Sequence, residues 1–149
     1  MIFSQVFIGS DHAGFESKTE LIQLLQKKFP NLNLIDCGTN SPESCNYPDI
    51  AKNVSDLVLA NQASCGVLIC GSGVGISIAA NRIEGVRAVL CTSSKLSELS
   101  RRHNNANIIC FGARLQTVRQ MYKYFKLFTK TAFEGGRHDS RVQMLDKLK

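Results

Sequence analysis

Five short apolar runs, each ending near Gly, Asp or Ser, alternate with amphipathic stretches along a chain of 149 residues. The runs span residues 6–9, 32–36, 66–70, 86–91 and 107–111, and each reads as a buried strand. Between them lie helical patterns. "ESKTELIQLLQKKF" sets Leu21, Leu24, Leu25 and Lys28 at helical spacing, and "DIAKNVSDLVLAN" does the same with Ile50, Val54, Leu57 and Val58. "MYKYFKLFTKTAF" closes the series as a basic amphipathic helix. Strand and helix alternating this often predict an α/β fold, a parallel sheet between two layers of helices. At this length, with 44% hydrophobic residues, the chain supports one sizeable core and reads as a single domain over 1–149. Only the tail "EGGRHDSR" departs from the rhythm.

Ligands of such sheets settle at the carboxyl ends of strands, in the loops that lead into helices. That rule singles out "GSDHAG", "DCGTNS", "CGSGVG", "CTSS" and "FGARLQ". In "ICGSGVGISIAAN", residues 69–81, the glycines let backbone approach a ligand closely, and N–H groups at a helix N-terminus favour negative charge, including charge that develops in a transition state. A dinucleotide site would call for an acidic residue at the end of the next strand, about 20 residues on. That strand ends in "VLCTSS", the loop follows the third strand and not the first, and a P-loop lysine is missing. Cys70 stands at the mouth of the helix, a position that suits a sulfur acting as nucleophile or proton acceptor. Cys65, Cys91 and Cys110 read as small buried hydrophobes. Six cysteines without a CxxC pair read as reduced thiols, neither a disulfide framework nor a zinc site.

Asp11 and His12 follow the first strand, His103 and Asn104 precede the fifth in "RRHNNAN", and Arg114 follows it. Arg137 and Arg141, after a Gly-Gly turn, suit a phosphate or carboxylate, while His138 reads equally well as a structural histidine. The net charge of +6 is uneven: residues 95–149 hold 12 Lys and Arg against 4 Asp and Glu, whereas residues 1–94 hold 6 against 8. Such a bias points either to a solvated helix face or to an anionic partner. The absence of Trp and of any nucleic-acid motif disfavours nucleic acid, and no run of about 18 apolar residues suggests a membrane span. A soluble, unexported, cytoplasmic protein is expected.

Taken together, "GSDHAGFESK", "DCGT", "YPDIA", "LICGSGVGISIAANR", "GVRAVLC", "SRRHNNANIICFGAR" and "FEGGRHDSRV" resemble the ribose-5-phosphate isomerase B family, within the group that also holds galactose-6-phosphate and allose-6-phosphate isomerases. The resemblance runs from about residue 8 to residue 145. It implies a Rossmann-like five-stranded sheet of order 2-1-3-5-4, a homodimer or tetramer with active sites at the subunit interface, a sugar-phosphate substrate, and no metal or nucleotide cofactor. It also assigns roles. Cys70 matches the base that moves a proton between C1 and C2, His103 with Asp11 matches ring opening, and Ser72 with the amides of Gly73, Val74 and Gly75 matches the group that stabilises the enediolate oxygens. His12, Arg114, Arg137 and Arg141 match a phosphate clamp, with some of these supplied by the other subunit, and Tyr47, Gly71 and Asn104 complete the substrate contacts. One branch of the family replaces the cysteine by a glutamate just after the third glycine. Ile76 stands there, which puts this chain in the cysteine branch. The rival readings are a six-carbon 6-phosphate isomerase, a sugar-phosphate-binding module without turnover, and a dinucleotide-dependent oxidoreductase.

Overall fold

The computed structural model describes residues 1–148. Strands β1 (Gln5–Ser10), β2 (Asn33–Asp36), β3 (Ser64–Cys70), β4 (Ala88–Leu90) and β5 (Ile108–Gly112) form one parallel sheet in the order β2-β1-β3-β5-β4. Helices α1 (Phe15–Lys28), α2 (Tyr47–Ala60), α3 (Val74–Asn81), α4 (Ser94–Asn104) and α5 (Val118–Lys130) connect the strands or follow the last one. A short α6 (Asp139–Leu145) closes the chain after a 3-10 turn at Gly136–His138.

Alternation along each central strand builds two cores. Val6 and Ile8 of β1, Cys65, Val67 and Ile69 of β3, and Ile109 and Phe111 of β5 pack with Leu21 and Leu25 of α1 and Met121, Phe125 and Phe128 of α5. The intervening residues Phe7, Leu68, Cys70, Ile108 and Cys110 face the other way, onto Ala51, Val54 and Val58 of α2 and Ile76 and Ala80 of α3. This is the three-layer α/β sandwich expected from the sequence. Cys70 is therefore the last inward residue of the central strand, on the α2 and α3 side.

The element ends differ from the predicted ones where tertiary partners decide them. The run at 86–91 keeps strand pairing only over Ala88–Leu90, at an edge of the sheet. α5 starts at Val118, earlier than its apolar pattern, because Thr117 and Gln120 form a reciprocal capping box. The sequence pattern gave no helix at 94–104. α4 turns Ser97, Ser100 and Arg101 inward, so it has no apolar stripe to read.

Candidate active site

The sheet order reverses between β1 and β3, which leaves a crevice at their carboxyl ends. Ser10 pairs with Ile69 across β1 and β3, and Cys70 pairs with Gly112 across β3 and β5, so Asp11, Cys70 and the turn after Gly112 come to one edge.

There the chain after Cys70 turns sharply. Gly73 adopts φ 79°, a left-handed conformation that glycine supplies without strain, and it caps α3. The turn brings the Gly73 N–H to 3.1 Å from the Cys70 Sγ, to which it donates. Val74 N–H donates to Ser72 Oγ at 3.2 Å. Both amides, expected to serve sugar oxygens, here support the loop itself, and the first of them supports the sulfur. Gly71 and Gly75 are close-approach positions. A Cβ on Gly71 would lie 2.8 Å from Arg114 Nη1, and one on Gly75 would lie 2.7 Å from the Tyr47 ring. Arg114 and Tyr47 thus rest directly on the glycine loop.

Asp11, only 6% exposed, accepts the Gly14 N–H at its Oδ1. His12 accepts the Cys45 N–H at Nδ1, 3.2 Å away, so its proton sits on Nε2, which remains a donor. Asp11, His12, Cys45 and Tyr47 line an open cavity of about 550 Å³ beside the loop. The "DCGT" segment braces this edge. Ser10 N–H donates to Gly38 O and Thr39 N–H to Ser10 O, each at 2.8 Å, while buried Lys18 holds Asp36 and Asp36 accepts the Gly38 N–H. Satisfying Lys18 with a carboxylate is what makes its burial tolerable.

The other expected residues lie at the opposite edge. α4 leaves the carboxyl end of β4 and descends to the amino end of β5, where Asn107 O accepts from Gly66 N–H and Asn107 N–H donates to Arg87 O. His103 and Asn104, at the foot of α4, are therefore on the amino side of the sheet. The tail joins them through Glu134 N–H, which donates to Arg102 O at 3.0 Å. The His103 and His138 rings stack with centroids 4.4 Å apart. Glu134 Oε2 lies 3.7 Å from the Nε2 of each ring, and its Oε1 is held by Arg102. That pairing holds the Glu134 carboxyl below the usual carboxylate range, while burial, followed by the neighbouring His103 and Arg137, lowers the His138 imidazole. Arg137 and Arg141 flank this cluster, with Arg141 Nη1 donating to Arg137 O at 3.3 Å.

Within one copy of the chain the expected site residues thus fall into two separate groups. Asp11, His12, Tyr47, Cys70, Gly71, Ser72, Gly73, Val74, Gly75 and Arg114 gather at the carboxyl edge, and His103, Asn104, Arg137 and Arg141 at the amino edge. Glu134 and His138 lie with the second group, against His103. The "EGGRH" signal contained both, but spacing alone did not distinguish them from structural residues.

All six cysteines are free thiols. Burial pushes Cys65 and Cys110 far up and Cys91 up to about 11, so these three are inert at neutral pH, in keeping with their reading as hydrophobes. Cys37 is also raised to about 11, by burial and then by Asp36.

A doubly wound parallel sheet carrying a thiol, a glycine loop and Arg114 at its switch point defines a small-molecule enzyme of the phosphate-handling α/β class. The ribose/galactose isomerase family matches residues 6–145. The putative sugar phosphate isomerase of Rickettsia conorii is 41% identical over 140 residues, covering 94% of this chain and 96% of its own. The crystal structure of ribose 5-phosphate isomerase from Thermotoga maritima superimposes with a TM-score of 0.93 at 42% identity, covering 97% of this chain and 99% of that one. Ribose-5-phosphate isomerase B from Mycoplasma genitalium, solved with bound ribulose 5-phosphate, gives a TM-score of 0.89 at 38% identity over 96% of this chain and 94% of that one. The chain belongs to the ribose/galactose isomerase family.

Proposed function

We propose that the protein interconverts ribose 5-phosphate and ribulose 5-phosphate through a cis-enediolate. The observation that carries the reading is the Cys70 sulfur at the switch point, supported by the Gly73 N–H, in a chain whose relatives include a structure with ribulose 5-phosphate bound.

Aldose–ketose isomerisation needs a base over C1 and C2, donors for the developing oxygen charge, and a remote anchor whose binding energy fixes the sugar. Asp11 and His103 exchange protons with the ring oxygen and O1 to open the furanose. Cys70 then takes the C2 proton and returns it to C1, while Ser72 and the glycine loop face O1 and O2. His12, through its Nε2 proton, and Arg114 begin the phosphate clamp, and Arg137 and Arg141 complete it.

The two groups form half-sites that meet only when a second copy docks. We assign the active unit to a homodimer in which the carboxyl edge of one protomer faces His103, Asn104, Arg137 and Arg141 of the partner subunit. Apolar surface supports the pairing. Beside the catalytic loop, α3 leaves Val74 44% and Ile78 59% exposed. A cavity of about 520 Å³ next to Asn104 is lined by Val86, Val89, Leu145 and Leu148. Among the described residues no helix is long and apolar enough to cross a membrane. The reading places the enzyme in the cytoplasm, in the pentose phosphate pathway.

Ribose 5-phosphate, allose 6-phosphate and galactose 6-phosphate presented in parallel to the purified protein test the substrate. The five-carbon sugar should give the highest kcat/KM, and preference for either hexose would reassign the enzyme within its family.

A further inference from the structure

We propose that Glu134 is a positioning residue for ring opening: it holds the His103 imidazole against His138 and faces the positive charge that His103 carries during the proton exchange. The inference deepens the proposed function and rests on it.

Two anchors fix the carboxylate beside the last turn of α4. Glu134 N–H donates to Arg102 O at 3.0 Å, and the Arg102 side chain engages Glu134 Oε1. Arg102 Nη1 also donates to Glu98 Oε1 at 2.9 Å, which steadies the guanidinium. Oε2 of Glu134 is left over, 3.7 Å from the Nε2 of His103 and of His138. That separation is an ion-pair contact and not a hydrogen bond, so its worth depends on which ring is charged. His138 is the neutral one. Its Nε2 accepts a long hydrogen bond from Arg137 Nε at 3.5 Å, and burial, followed by His103 and Arg137, lowers its proton affinity. The two rings stack with centroids 4.4 Å apart and planes 13° from parallel, so His138 is a flat wall that limits the tilt of His103. Like charges this close oppose each other, which leaves the positive form to His103.

The proton balance shows why a carboxylate belongs here. In ring opening the O1–H proton leaves as the bond between C1 and the ring oxygen breaks, and the ring oxygen keeps the electron pair and takes up a proton. Asp11 and His103 divide those two transfers, and whichever share falls to His103, it passes through its imidazolium form. Arg102, Arg137 and Arg141 oppose that form from α4 and from the tail. Among the described residues, Glu134 is the one carboxylate within ion-pair distance of His103. Without its charge the imidazolium stands among arginines, in a cleft that the second protomer shields from water, where such interactions are strongest.

Glu134→Gln keeps the shape and removes the charge. With ribose 5-phosphate, kcat should fall by as much as about 100-fold, the scale on which misplacing a catalytic group slows a reaction, with KM little changed. Ribulose 5-phosphate is the control, because its phosphate occupies O5 and it has no ring to open. With enzyme in excess, its consumption in a single turnover reports proton transfer at Cys70 and should keep the wild-type rate. Arg102→Gln, which frees the carboxylate from its anchor, should show the same split to a smaller extent, and it carries the test where circular dichroism shows Glu134→Gln to be unfolded. Equal losses on both sugars, a rise in KM alone, or an unchanged kcat on ribose 5-phosphate would overturn the role of Glu134. If the unaltered protein consumed neither sugar, the proposed function itself would fall, and this role with it.

Discussion

The Gly73 N–H points at the Cys70 sulfur from 3.1 Å, and it does so because Gly73 sits in a left-handed conformation at the cap of α3. Backbone shape and chemistry are therefore a single feature of this loop. Cys70→Ala should lower kcat by about 100- to 10,000-fold, the usual range for loss of a general base. Circular dichroism and binding of a non-reacting sugar phosphate should change little. Cys70→Ser should behave similarly, because a hydroxyl is a far weaker acceptor of the carbon proton. Near-normal turnover in either variant would move the base elsewhere.

Gly73→Ala tests the backbone half of the same relationship. At φ 79° an alanine is strained, and its Cβ would lie 2.6 Å from Leu90 Cδ1 and 2.8 Å from the Phe111 carbonyl carbon. The left-handed strain alone costs about 1–3 kcal/mol. Urea denaturation should show at least that loss, with kcat reduced even where the protein remains folded.

Acid should destabilise the protein in two windows. His138 has its proton affinity lowered on folding, so between its native value and the ordinary 6.5 the unfolded chain binds more protons, and stability rises with pH. Glu134 is lowered too, and its pairing with Arg102 contributes above the ordinary 4.5 and is lost as pH falls through the native value. Thermal melts should therefore decline below about pH 6.5 and again below about pH 4.5. His138→Gln should flatten the first decline. A flat melting temperature between neutrality and pH 4 would contradict this.

Much of the fold was legible because β1, β3 and β5 are continuous apolar runs, and because α1 and α2 carry clear apolar stripes. α4 was not legible. Its buried face is polar and satisfied locally, with Ser97 Oγ donating to Tyr124 O at 2.6 Å and Arg101 reaching Ala106 O beneath the Phe3 and Phe128 rings. Periodicity sees no core face in such a helix. At the site, the loop residues around Cys70 were readable from spacing after a strand. The separation of His103 from Cys70 was not, since it depends on α4 running back down the sheet. Nor did the sequence reveal that Glu134 and His138 gather against His103, which requires the tail to fold onto the foot of that helix.

Arg137→Ala should raise KM steeply for ribose 5-phosphate, with kcat falling as well if anchoring positions the sugar. Arg137→Lys should restore only part of the loss, because an ammonium lacks the planar fork that meets two phosphate oxygens. Unchanged KM in Arg137→Ala would take this residue out of the clamp.

In the proposed dimer, Cys70 of one protomer works with Arg137 of the partner subunit. Mixing Cys70→Ala with Arg137→Ala protein, assayed at a substrate concentration far below the raised KM so that neither variant alone turns over appreciably, tests it directly. After free subunit exchange at equal concentrations, half of the dimers are mixed, and each mixed dimer has one site with both original side chains. Turnover should recover to about a quarter of the wild-type value, as the two-fold symmetry of the pairing requires. No recovery after exchange has been verified by mass spectrometry of tagged protomers would contradict a site shared between subunits.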